Sequence, residues 1–191
     1  MDPINHRSLI TILRQSFDET LAAITTQEKA SINVVERTTI EAQEFKTVIC
    51  SIASSTFKMN MLLHYSNSDA VIDSFFDTIK SDIRGDKKNQ YQDYISELVN
   101  NLCGTANRIL GYAGFSSGMS TPATLNISNS TKHMEVIAPD SEVHIGCFLE
   151  GEPLFFGSLY LFINKGFESS LILKIPEAAA ECEASGELEF F

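Results

Sequence analysis

The sequence predicts an α+β fold, a mostly antiparallel sheet packed with a pair of long helices. Three observations predict it. Apolar residues recur every three or four positions over 4–24 and again over 88–110, the period of an amphipathic helix. Runs rich in Val, Ile, Thr and aromatic residues fill 31–65 and 124–176, separated by Asn, Pro-Asp, Gly-Glu-Pro and Lys-Gly turns. The elements come in the order helix, strands, two helices, strands, so both halves of the chain carry a helix followed by strands.

The first helix spans 4–24, with Leu9, Ile12, Leu13, Phe17, Leu21 and Ile24 on its apolar side. Residues 31–42 and 45–54 read as strands, and Phe57, Met59, Met61 and Leu63 begin a third with period two. Ser54-Ser55 supplies the tight turn before it. The run Ser66-Asn67-Ser68-Asp69 offers N-cap chemistry to a helix reaching about Ile83, with Val71, Ile72, Phe75, Phe76 and Ile79 facing inward. Arg84-Gly85-Asp86 breaks it, and the next helix runs from about Lys88 to Leu110, with Gly111 and Gly114 as stops. The strands expected after the Gly/Ser-rich loop 114–122 are TLNIS, HMEVIA, EVHIGCFLEG, GSLYLFIN and SLILKI. EVHIGCFLEG and SLYLFIN are long and apolar, and an exposed edge of that kind invites pairing with a second chain.

Length and charge narrow the function. The 191 residues suit one domain with a real core, and 43% hydrophobic with 20% charged residues is a globular composition. A net charge of −11 excludes binding to nucleic acid through a basic patch. Part of that charge is local: Glu177, Glu181, Glu183, Glu187 and Glu189 mark 177–191 as a solvated acidic C-terminal tail beyond a domain of 1–176. Cys50, Cys103, Cys147 and Cys182 are too scattered for a metal site, and the histidines lack ligand spacing. The first ten residues lack a signal-peptide pattern and no apolar run reaches membrane-spanning length. Reduced cysteines in the cytoplasm is the expectation, and the sequons at Asn126 and Asn129 are then accidental.

Asp93, Glu97, Asn100 and Gly104 fall on one stripe of the second long helix, opposite Ile95, Leu98, Val99, Leu102, Ala106, Ile109 and Leu110. Solvated helix faces are usually laced with Lys and Glu. Two carboxylates, an amide and a mid-helix glycine instead suggest a docking surface. Gly costs about 1 kcal/mol here relative to Ala, and one use for it is close approach of another molecule to the backbone.

The spacing Asp93-x3-Glu97-x2-Asn100-x21-Pro122, with Gly104 four residues after the asparagine, resembles the signature of the CheC/CheX/FliY family of CheY-phosphate phosphatases. It is most similar to the single-site CheX-like members, because no glutamate of the first helix is followed three residues later by asparagine. The resemblance implies a pseudo-symmetric CheC/CheX-like domain, a homodimer, and hydrolysis of the aspartyl phosphate of a CheY-like response regulator. It implies that Asn100 orients the attacking water and that Glu97 pairs with the regulator's lysine. The chemistry agrees. A carboxamide can both accept and donate a hydrogen bond to a water, and a carboxylate near a phosphoryl group needs a cation between them. Asp93, Gly104 and Pro122 are positioning residues in this reading. No cofactor is held by this chain; Mg2+ is expected on the partner.

Other readings are open to the same residues. Gly114-Phe115-Ser116-Ser117-Gly118 spells G-x-S-x-G, with Asp140 and His144 following in triad order, but a nucleophile elbow joins a strand to a following helix and here the order is reversed. No Lys-[ST] follows, which excludes a P-loop. The alternative function is a non-catalytic interaction module of the same fold, a flagellar rotor or signalling scaffold.

Overall fold

Leu9, Ile12, Leu13, Phe17 and Leu21 line the buried face of α1, Pro3–Ile24. The computed structural model of the chain describes residues 3–24, 30–41, 45–78, 87–125, 134, 136–149, 151–167 and 173–175. After α1 come β1 (Ala30–Val34), α2 (Arg37–Glu41), β2 (Lys46–Ala53), β3 (Phe57–Tyr65), α3 (Asp69–Thr78) and α4 (Lys87–Tyr112). The second half adds β4 (Gly118–Met119), β5 (Ala123–Leu125), β6 (Ser141–Leu149) and β7 (Glu152–Ile163). The strands form one antiparallel sheet in the order β1-β6-β7-β3-β2-β4, with β5 also on β2. The α+β architecture is thus as the sequence predicts, and the long helix pair is α1 with α4.

Local chemistry sets the element ends. Ser54 closes the β2–β3 turn, its hydroxyl accepting from the backbone N–H of Thr56 and Phe57, each at 3.1 Å. Ser68 caps α3, with Val71 N–H donating to its Oγ at 3.4 Å. At the end of α4, Phe115 N–H reaches Leu110 O at 2.9 Å and Gly114 N–H reaches Gly111 O at 3.0 Å. With Gly114 at φ +86°, this is the paired bonding of a Schellman motif. Gly114 is therefore the stop, and Gly111 lies within the helix.

Three expectations for strands are corrected. Residues 31–42 are not one strand: Val35 N–H makes a last bond to His144 O at 3.1 Å, and α2 follows. Arg37 of α2 pairs with Glu142 on β6 and only Ile40 of that helix is buried, so tertiary anchoring overrides the β-propensity of Thr38, Thr39 and Ile40. The described residues of HMEVIA do not form a strand either. Met134 and residues 136 and 137 are helical; Met134 packs on Leu62 and Tyr160, while Val136 stands 83% exposed. In SLILKI, residues 173–175 are not a strand, yet Leu173 is fully buried. Its N–H donates to Asn5 Oδ1 at 2.8 Å and its carbonyl accepts from Ser8, so the side chains of α1 satisfy what a sheet neighbour would have satisfied.

A fourth correction concerns edges. The long late strands β6 and β7 are interior, flanked by β1 and β3, and buried over most of their length because both faces are covered. The outer strands are the short ones, and Arg14 already donates to Ile32 O of β1 at 3.0 Å. The end of the α3 expectation beyond Thr78, most of TLNIS, both sequons and the acidic tail lie outside the described residues.

One face of the sheet carries the main core beneath α1, α3 and α4. At its centre α1 comes so close to β7 that a Cβ on Gly157 would stand 2.6 Å from Phe17 Cε2. Phe17 is 1% exposed, so its ring would have to shift within a packed interior. Gly157→Ala should therefore destabilise the fold by about 1–3 kcal/mol, read from the urea midpoint. Pairing it with Phe17→Leu should cost less than the sum of the two single changes.

The opposite face holds a smaller apolar cluster of Leu62, Met134 and Tyr160 beside a string of buried polar groups. Thr47 Oγ1 lies 3.1 Å from His64 Nδ1, His64 Nε2 lies 2.9 Å from Ser158 Oγ, and that oxygen lies 2.8 Å from His144 Nδ1. A hydroxyl has one proton, so Ser158 donates to one ring and accepts from the other.

Candidate active site

Helix α4 presents its apolar side to the sheet and its stripe to solvent. Tyr91, Ile95, Leu98, Val99, Leu102, Cys103, Ala106, Ile109 and Leu110 are buried. That burial fixes the rotation of the helix, and with it the stripe: Asp93 and Glu97 are exposed, Asn100 and Gly104 half-buried. Beneath the stripe, Cys103 Sγ contacts Met61 Sδ at 3.8 Å, and Cys50 of β2 donates to Ser120 O at 3.2 Å. Cys103 bonding draws the Cys50 thiol down to about 7 against the opposing effect of burial. Cys50, Cys103 and Cys147 are all free and buried.

The half-buried members of the stripe sit in an open cleft of about 520 Å³ between α1 and α4. Glu19 and Thr20 of α1, Asn100, Gly104 and Arg108 of α4, and Met119 of β4 line it. A Cβ on Gly104 would meet nothing within 4 Å, so the glycine leaves bare helix backbone open to the cleft. The structure thus brings Asn100 and Gly104 together, with Glu97 one turn away on the helix outside the cleft lining and Asp93 a further turn out. A water or a phosphoryl oxygen can reach the Asn100 amide from solvent. The exposed carboxylates of Asp93 and Glu97 make that end of the stripe attractive to a cation.

Pro122 has a local reason of its own. Ile52 pairs with Met119 and Ile49 with Ala123, so the outer segment carries one residue more than β2 over the same span. Ser120 N–H still reaches Ser51 O at 2.8 Å. Pro122 therefore lies in a bulge, where its missing N–H leaves no ladder bond broken.

The triad-like string does not assemble. Ser116 lies in an exposed loop leading into β4, Asp140 accepts from Ile163 N–H at 2.7 Å, and His144 is buried against Ser158. Arg108 and Glu19 were not singled out in the sequence. Extending the stripe by four residues past Gly104 reaches Arg108, but its partner Glu19 is on a different helix, and only the packing of α1 on α4 unites them. Among the described residues, no cluster of three or more His, Cys, Asp or Glu could hold a metal, and no helix is long and apolar enough to cross a membrane.

No family model matches the chain, and no curated protein matches it. Solved structures do. The CheX–CheY–BeF3–Mg2+ complex of Borrelia burgdorferi contains a chain similar to this one with a TM-score of 0.62 at 12% identity, over 80% of this chain and 97% of that one. CheX from Vibrio vulnificus gives 0.58 at 13% identity, over 81% and 99%. FliY from Thermotoga maritima gives 0.52 at 15% identity, over 84% and 91%. At such identities the likeness is one of fold, and the sheet with its α1–α4 pair is the CheC/CheX/FliY fold.

Proposed function

We propose that this chain is a cytoplasmic phosphatase that hydrolyses the aspartyl phosphate of a CheY-like response regulator. The observation that carries the reading is the half-buried Asn100 amide in an open cleft, beside the bare backbone of Gly104 and one turn from the exposed Glu97. Phosphoryl transfer of this kind needs an in-line water and stabilisation of spreading charge. Asn100 holds the water, donating through its nitrogen or accepting through its oxygen. Glu97 meets a lysine of the regulator and so fixes the docking without approaching the phosphoryl group itself. Asp93 and Gly104 shape the surface on which the regulator lies, and Pro122 holds the segment after β4. Mg2+ is carried by the regulator. The similarity to a CheX solved together with CheY supports a partner of this class.

The direct test is release of phosphate from a phosphorylated CheY-like protein when this chain is added. Acceleration over the regulator's own decay supports the reading. Binding without acceleration favours the non-catalytic interaction module, and absence of both removes the partner class.

A homodimer belongs to the same reading, and with β6 and β7 interior the strand proposed for it is the outer β1, where Val34 is 55% exposed and Arg14 covers Ile32 O. We expect a dimer by sedimentation at micromolar concentration, with the Glu97–Asn100 stripes independent. A monomer at that concentration removes the dimer and leaves the hydrolysis untouched.

A further inference from the structure

The cleft beside Asn100 runs on past the glycine, and its far end differs in kind from the acidic end of the stripe. Arg108 lies four residues beyond Gly104 on the same side of α4, and both line the cleft. Its Nη2 is held by Glu19 of α1, and its guanidinium carbon lies 5.7 Å from the centroid of the Tyr112 ring. Its Nε and Nη1 have no acceptor among the described residues. Tyr112 is 56% exposed, and Met119 on the cleft wall is 37% exposed.

Ion pairs as open as Glu19–Arg108, each side chain 39% exposed, add little to stability. The fold therefore gives this arrangement only a weak reason to exist. Arg, Tyr and Met are the residue types that concentrate at protein–protein contacts. An arginine already held by a carboxylate and a ring loses less freedom on binding than a loose one, and its planar fork suits a carboxylate better than an ammonium does.

We infer that Arg108, Tyr112 and Met119 form a second anchor for the protein partner, taking a surface carboxylate flanked by an apolar side chain. The inference rests on the proposed function, which assigns the other anchor to Glu97. Glu97 and Arg108 are about 16 Å apart along the helix axis at the usual rise per residue. The partner must offer a cation at one end and a carboxylate about 16 Å away. That polarity selects an orientation, because a partner lying the other way round sets carboxylate against Glu97 and cation against Arg108. A lone Glu97 contact would leave the partner free to swivel about Asn100; two poles of opposite sign do not.

The test is equilibrium binding of the full chain to a CheY-like response regulator loaded with beryllium fluoride and Mg2+, alongside single-turnover dephosphorylation across enzyme concentrations. Arg108→Ala and Tyr112→Ala should each weaken binding about tenfold, and Arg108→Glu about a hundredfold. The loss should appear in the half-saturating concentration rather than in the rate at saturation. Tyr112→Ala leaves the Glu19–Arg108 pair in place, so its effect does not pass through helix packing. Wild-type affinity in both Arg108→Glu and Tyr112→Ala, with the unaltered chain binding and dephosphorylating the regulator, overturns the second anchor and leaves the proposed function standing. Failure of the unaltered chain to bind the regulator at all overturns both, and binding without dephosphorylation overturns the proposed hydrolysis while the binding losses still decide the second anchor.

Discussion

Replacing Asn100 by alanine is expected to slow dephosphorylation on the order of 10²-fold at saturating enzyme, about 3 kcal/mol of barrier, while docking is kept. The side chain is half-buried and lines an open cleft, so its removal leaves no void in the core. Alanine is the better helix former, and α4 should lose no stability. What disappears is a group that holds a water. Glu97→Ala should behave differently. Its carboxylate is exposed and stands outside the cleft lining, and its loss should weaken the complex by about 1.5–3 kcal/mol through one charge-assisted contact. Raising the enzyme concentration should recover much of the Glu97→Ala deficit and none of the Asn100→Ala deficit. Full activity of Asn100→Ala at saturation would make the non-catalytic module the better account.

The second large effect is a loss of stability in mild acid. His64 is 1% exposed, and burial, with a smaller contribution from repulsion by His144, holds its pKa down to about 3. In the unfolded chain a histidine takes up its proton near 6.5. Between those values the unfolded state binds more protons than the folded one, so the stabilising contribution is complete above 6.5 and is lost as the pH falls toward 3. From His64 alone the loss is about 2 kcal/mol at pH 5 and about 4 kcal/mol at pH 3. His144 acts in the same direction, because burial and the charge of Arg37 outweigh the attraction of Glu142 and Glu36. Urea midpoints at pH 7 and pH 5 measure this. His64→Gln should flatten the difference between the two; an equally steep dependence in that variant would place the acid sensitivity elsewhere.

The sequence makes α1, α4, β2, β3, β6 and β7 legible because each has a long apolar period and local caps or turns that agree with it. The stripe on α4 was legible for the same reason: nine buried residues dictate which side of the helix is left over. What periodicity could not supply were features decided by contacts distant in sequence. Arg37 reaching Glu142 anchors the Thr38-Thr39-Ile40 segment as a helix, and Asn5 with Ser8 holds Leu173 outside any strand. Glu19 became part of the site only through the packing of α1 on α4. Strand order was likewise invisible, so β6 and β7 looked like edges when they are central. Apolar residues on both faces are the mark of an interior strand.

That central position governs how the molecule comes into being. Phe57 stands opposite Ile163 and Tyr65 opposite Phe155, so the middle of the sheet joins segments about a hundred residues apart. As the chain is synthesised, α1, α4 and the β2–β3 hairpin can meet early, but β3 has no strand on its second edge until β7 leaves the ribosome. The central β3–β7 pairing is not rewarded before then, which places folding among slow, high-contact-order topologies and leaves the open edge of β3 prone to aggregation in the meantime. The repeated helix-and-strands pattern does not make two separable units. A stop before Glu152 removes β7 and leaves β3 and β6 each with an open edge.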